Sequence, residues 1–243
     1  TSILAGVLKT GSAYALSSGS ALSLANVAGA ALDLNGFNQS VKSLSGGGST
    51  GGNVILGSGA TLTVGGTNAT TNVYNVDTRT VFAGLISGTG NLTLTGGGVL
   101  ALTNNSNSFS GQVNINSGTL VISNMGQLGT GTSAIFVNGT NTIGTPSGTL
   151  VVQGGTAGLT FNRDLDLSSR GNNLLNGLGL LNIGNNNYTG LISTSPSGAE
   201  NRIGSSFGTM TITSAATLFK TIFEAFDSFV TRCIFPSDGD NLF

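Results

Sequence analysis

Seven glycines, each followed closely by an apolar-x-apolar triplet, recur at nearly constant spacing: Gly29 (GAALDL), Gly59 (GATLTV), Gly90 (GNLTL), Gly118 (GTLVI), Gly148 (GTLVV), Gly179 (GLLNI) and Gly208 (GTMTI). The intervals are 30, 31, 28, 30, 31 and 29 residues. A period in this range marks an array whose units bury their apolar faces only by stacking on their neighbours. The chain is therefore constrained to a repeat architecture before any single element is considered.

Within each unit the apolar residues alternate with a period of two, the spacing of a strand. Leu32 and Leu34, Leu62 and Val64, Leu92 and Leu94, Leu120 and Ile122, Leu150 and Val152, Leu181 and Ile183, and Met210 and Ile212 are expected to face one side and to stack as a column. The interleaved Asp33, Thr63, Thr93, Val121, Val151, Asn182 and Thr211 are expected to point outward. Out-of-phase copies at Gly19, Gly52, Gly98 and Gly111 fit several strands per unit: ALSL at 21–24, ALDL at 31–34 and VKSL at 41–44 begin ten residues apart. Three strands per thirty residues make one triangular turn, with successive turns about 4.8 Å apart and paired in parallel. The predicted fold is an all-β, right-handed parallel β-helix (β-solenoid) of about 30 residues per turn, the hand being that of other parallel crossovers.

Composition agrees. Of 243 residues 40 are Gly and only 17 are charged, with 8 Lys and Arg against 9 Asp and Glu. Gly, Ser, Thr and Asn fill the spaces between Val, Ile and Leu, so strands and tight turns are favoured over helix. Gly and Asn at GGG (46–48), NGFN (35–38), NNSN (104–107) and GNNN (184–187) supply the left-handed backbone that sharp corners require. Asn side chains are also suited to ladders between turns. A β-sandwich shares the short strands and turn signals but has no reason to keep a thirty-residue period.

The pattern breaks after Ser214. LFKTIFEAFDSFV (218–230) places Leu218, Phe219, Ile222, Phe223, Phe226, Phe229 and Val230 on one helical face, opposite Lys220, Glu224, Asp227 and Ser228. The expected organisation is a β-helix domain over 1–214 and an aromatic tail over 215–243, a short amphipathic helix capping the last open turn. A self-association contact and a membrane-surface helix are the alternatives for this tail, the latter supported by only two cations, Lys220 and Arg232.

Two passages resemble the autotransporter-associated β-strand repeat of bacterial passenger proteins. One is ISGTGNLTLTGGGVLALTNNSNSFSGQVNINSGTLVISNMGQLG (86–129), with Phe109 in the aromatic position and Gly111 after it; the other is SALSLANVAGAALDLNGFNQSVKSLSG (20–46). The resemblance covers residues 1–129, thins over 130–214 and is absent beyond. It implies a passenger-type β-helix displayed on the bacterial cell surface, extracellular and adhesive, with an export signal and outer-membrane barrel outside this chain.

The chemistry available is sparse. With no His, a Ser-His-Asp triad, a Cys-His pair and a His-ligated zinc site are excluded. Cys233 is the one cysteine, so no internal disulfide forms, and no partner near it in sequence suggests a nucleophile. The best acid-base candidates are Asp164 and Asp166 in NRDLDLSSR (162–170), two residues apart on one strand face and flanked by Arg163 and Arg170. Paired carboxylates with a cation serve polysaccharide cleavage or hold a metal, so a carbohydrate-active β-helix, a polysaccharide hydrolase or lyase, is the alternative function. Other acids, such as Asp33, Asp77 and Glu200, are scattered. Asp238, Gly239 and Asp240 match a fragment of a calcium loop without the further ligands and closing Glu.

We assign no catalytic, cofactor-binding or metal-ligating residue from the sequence, and no cofactor. The expected role is structural and adhesive rather than enzymatic. The expected partners are host or matrix glycans or surface proteins, with self-association through the tail as a further candidate. A net charge of −1 and the absence of a Lys or Arg run speak against nucleic acid. No apolar run reaches the roughly 18–20 residues of a membrane span.

Overall fold

The computed structural model describes residues 1–66, 79–139, 147–168, 178–194 and 201–214, and the backbone of 216–217, 221–225 and 232–234. Each turn of the coil supplies a strand to a first face, passes to a second and then to a third. The first face is one continuous ten-stranded sheet, running from Ser2–Ile3 through Ala21–Leu24, Ser43–Gly46, Thr80–Phe82, Val99–Leu102, Gly118–Ile122, Gly148–Gly155, Leu180–Gly184 and Asn201–Phe207 to Thr221–Ala225. Nine steps of about 4.8 Å give this sheet a length of roughly 43 Å.

The third face is an eight-stranded sheet, and the second is divided into two four-stranded sheets. The division falls where Phe109 and the short 3₁₀ turn Met125–Leu128 take the place of second-face strands. Phe109 still reaches the interior and is fully buried, stacked after Ile86 and before Leu128, Phe161 and Tyr188. All described strand pairs are parallel, from Ser2↔Ser23 to Thr221↔Asn201. The chain is a parallel β-helix, as the sequence predicts.

The thirty-residue step is present at Leu62↔Leu92, Ile135↔Leu165, Leu120↔Leu150 and Leu150↔Leu180. Other turns are shorter: Leu22 lies beside Leu44, Leu92 beside Val113, and Leu100 beside Leu120. As a result the seven apolar pairs do not form one column. Leu32 belongs to the second face, Leu62 and Leu92 to the third, Leu120 and Leu150 to the first, and Met210 again to the second. The physical reason is that every face needs the same two-residue alternation behind a glycine corner, so a glycine-led apolar triplet does not say which face it serves.

The interior is one aliphatic spine containing Leu22, Leu44, Leu62, Leu92, Leu120, Leu150 and Leu180, all essentially inaccessible to solvent. Strand Leu180–Gly184 departs by one residue from the expected phase. Val152 aligns with Asn182, so Leu180 and Asn182 turn inward while Leu181 joins Val99, Ala101, Val121 and Val151 in a second buried cluster on the outer side of the first face. Asn182, expected outside, is fully buried, and Val121 and Val151 are outward yet buried.

A polar interior position requires partners, and Asn182 has them. Its amide donates to the Gly184 carbonyl and the Ser205 hydroxyl, both at 2.9 Å, while its oxygen accepts from Asn186 at 2.7 Å and from the Tyr188 hydroxyl at 3.2 Å. Each hydrogen-bonding position of the amide is thus used, which removes the penalty of a buried orphan.

The expected helix over 218–230 is corrected where the backbone is described. Thr221–Ala225 is a strand paired in parallel with Asn201–Phe207, and Arg232–Ile234, which includes Cys233, pairs with Thr209–Ile212. Thr221, Ile222 and Phe223 carry strand-favouring side chains. The open edge they meet offers a row of unpaired backbone groups that a helix, with its own groups internally paired, does not satisfy. Residues 218–220 and 226–231, with Phe219, Phe226 and Phe229, lie outside the described residues, as do Asp77, Arg170 and Asp238–Asp240.

Candidate functional site

Corners carry most of the exposed polar groups, while the outward Thr, Ser and Asn of the strands are mostly half-buried. The residue pairs at each corner are tied to the turn above or below by side-chain amides: Asn38 accepts from the Thr61 amide, Asn91 from the Gln112 amide, and Asn138 donates to Asn116 at 2.8 Å. Asn107 is buried and bridges two turns, accepting from the Ile86 amide and donating to the Gln127 carbonyl. These ladders are the ones the Asn-rich corners led us to expect. They fix the corners rigidly.

The NRDLDL segment lies at such a corner. Asp166, within Leu165–Ser168, and Asp164, just before it, are on the solvent side, while Leu165 and Leu167 point in. Each carboxylate has its own restraint. Asp164 Oδ1 accepts from the Leu191 amide at 2.8 Å, and Asp166 Oδ1 accepts from the Ser168 hydroxyl at 3.1 Å.

Arg163 does not flank them as expected. It has the opposite phase and is 7% exposed, its guanidinium donating to the Leu128 carbonyl at 2.8 Å and to the Ser133 carbonyl at 3.1 and 2.7 Å. Burial lowers its pKa from the ordinary value by penalising the cation. The carbonyl oxygens it meets belong to the preceding turn, so Arg163 is a clasp between turns. Among the described residues no group of three His, Cys, Asp or Glu side chains converges as a metal site.

The clasp shapes a groove that the sequence did not reveal. Arg163 holds both ends of the loop Gly129–Thr132, and the corner Asn162–Asp164 faces that loop and Met125 across an open space of about 360 Å³. Thr130, Thr132, Asn162 and Asp164 are exposed. Gly126, Gly129 and Gly131 also line it, and a side chain at any of them would strike the backbone of the previous turn, at Asn105, Phe109 and Ser110 respectively. The groove draws on residues thirty positions apart, and no local motif marks it. The one available signal was the phase of Arg163, a cation on the inward side of an alternating strand.

The remaining charge is slight. Lys9 and Asp33 approach to 3.6 Å on the exposed second face, a pair of little consequence for stability. Among the described residues no helix is long and apolar enough to cross a membrane, which says nothing of strands that cross in a barrel.

No protein-family profile matches the chain, and no solved structure matches it. Over 120 residues the chain is 48% identical to the adhesin BmaC autotransporter of Brucella suis biovar 1 (strain 1330). The aligned region is 49% of this chain and 3% of that protein. The similarity agrees with the extracellular, cell-surface passenger character expected from the sequence.

Proposed function

We propose that this chain is a non-catalytic, adhesive rod segment of a bacterial surface passenger, whose task is to hold polar corners at fixed intervals outside the cell. The observation that carries the reading is the ten-stranded parallel first face, an unbroken ladder through the described turns, taken with the 48% identity to an autotransporter adhesin. A continuous ladder resists local opening and proteolysis because each strand opens only by losing two neighbours. Single contacts at such corners are weak, and repetition along a rod raises the total affinity.

The carbohydrate-active alternative is not favoured. Asp164 and Asp166 are each held by separate neighbours, and the cation expected beside them is committed to the carbonyls of Leu128 and Ser133. The test is adhesion: beads coated with the purified chain are expected to attach to host cells or extracellular matrix above beads coated with an unrelated β-helix. Equal attachment would remove the adhesive reading, and turnover of a polysaccharide that disappears in Asp164→Asn, Asp166→Asn would replace it with the enzymatic one.

A further inference from the structure

We infer that the groove between the Gly129–Thr132 loop and the Asn162–Asp164 corner binds a neutral sugar residue of a glycan. The inference rests on the adhesive reading for its biological use but not for its chemistry.

Charge selects the class of ligand. The groove brings together one cation, Arg163, and one carboxylate, Asp164, so it has no net field to concentrate an acidic polymer. Its lining includes four exposed short polar residues, Thr130, Thr132, Asn162 and Asp164. A polyhydroxylated ring offers donors and acceptors in the same mixture. Met125 supplies an apolar wall for a face of C–H groups.

Rigidity supports binding. The Asp164 carboxylate is fixed through Oδ1 by the Leu191 amide, and Asp164 also receives the Ile135 amide on its carbonyl. Thr130 is fixed through its amide to the Phe109 carbonyl and through its hydroxyl to the Ser108 carbonyl. The guanidinium clasps both ends of the loop between them. Little conformational freedom is left to lose when a ligand enters, so a small and shallow site retains measurable affinity. The volume, about 360 Å³, lies at the lower end of the range for small-molecule sites.

The experiment is a nuclear magnetic resonance titration of the full chain with neutral hexoses, N-acetylhexosamines and their disaccharides, alongside sialic acid and a sulfated disaccharide. Binding of a neutral sugar in the millimolar range is expected, with shifts confined to residues 125–132 and 162–164. Asp164→Asn retains an acceptor for the Leu191 amide and is expected to keep the parental thermal unfolding while weakening the sugar roughly ten-fold through loss of charge-assisted hydrogen bonds. Asn162→Ala, at an exposed position, is expected to weaken it several-fold.

Absence of shifts with every neutral sugar at tens of millimolar, shifts located elsewhere, preference for the acidic sugars, or parental affinity in both variants would each overturn the proposal. Adhesion measured in parallel separates the two readings. Full adhesion without sugar binding removes the groove alone, and sugar binding without adhesion removes the adhesive role alone.

Discussion

Any side chain at Gly111 would place its first carbon against the Gly90 carbonyl oxygen of the turn before, which explains why glycine follows the buried Phe109 at a two-residue interval. A Gly111→Ala variant is expected to be destabilised by about 1–3 kcal/mol, the usual range for overpacking, in urea unfolding. Gly11→Ala is the matched control: a side chain there meets nothing within 4 Å, and its unfolding midpoint is expected to stay near the parent's. Asn182 makes a similar point from the opposite direction. Its removal in Asn182→Ala takes one partner from each of Asn186, Tyr188 and Ser205, and a loss of about 1–3 kcal/mol is expected from breaking this buried network. The Gly corners were legible from residue type, because few other residues adopt a left-handed turn: Gly36, Gly46 and Gly184 have φ of 82°, 86° and 109°. Among the described corner asparagines only Asn35 is left-handed, and Asn104, Asn107, Asn185 and Asn186 serve through side-chain hydrogen bonds instead. The interior placement of Asn182 was not legible, because an Asn between Leu181 and Ile183 reads as the polar member of an alternating strand.

The strand Leu165–Ser168 and the loop before it show what neighbouring elements contribute. Alternation alone assigns Leu165 and Leu167 inward and Asp166 outward, and the structure agrees. What alternation does not convey is that Arg163, one step further back on the inward side, reaches the loop of the preceding turn. Arg163→Met keeps the length and apolar stem but leaves the Leu128 and Ser133 carbonyls without their donor. It is expected to lower stability by about 2–3 kcal/mol and to raise amide hydrogen exchange at residues 129–132 before any other region. Uniform exchange over the whole chain in that variant would show that the clasp has no local role. The C-terminal segment is the converse case. Its aromatic spacing reads as helical, yet Thr221–Ala225 lies as a strand on the edge of Asn201–Phe207. A chain ending at Ser214 loses that strand and the two that flank it, and with them the pairing they give Ile192–Thr194, Asn201–Phe207 and Thr209–Ile212; it is expected to unfold at a lower urea concentration than the full chain. A lower mass in sedimentation than the full chain would support the tail as a self-association surface.

Stacked turns make the whole molecule quasi-one-dimensional: each turn gains its burial from two neighbours, and the aliphatic spine is continuous from Ile3 to Ile212. Far-ultraviolet circular dichroism is expected to be dominated by β structure, as the stacked parallel strands of the described residues require, and a spectrum dominated by helix would contradict that stacking. Periodicity along the chain was enough to establish a parallel coil with an apolar inside and a polar outside, because a repeat with two-residue alternation has no other way to bury its leucines. The same periodicity did not establish which face each leucine serves. Turns differ in length from about 20 to more than 30 residues, as Leu100↔Leu120 and Val54↔Ile86 show, and the difference is taken up at the corners and, near Phe109 and Met125–Leu128, by the loss of a second-face strand. The groove lies beyond sequence reading for the same reason. Its walls come from consecutive turns, so the distance between Thr132 and Asp164 depends on how many residues the intervening corners take up, and only the stacked backbone decides that.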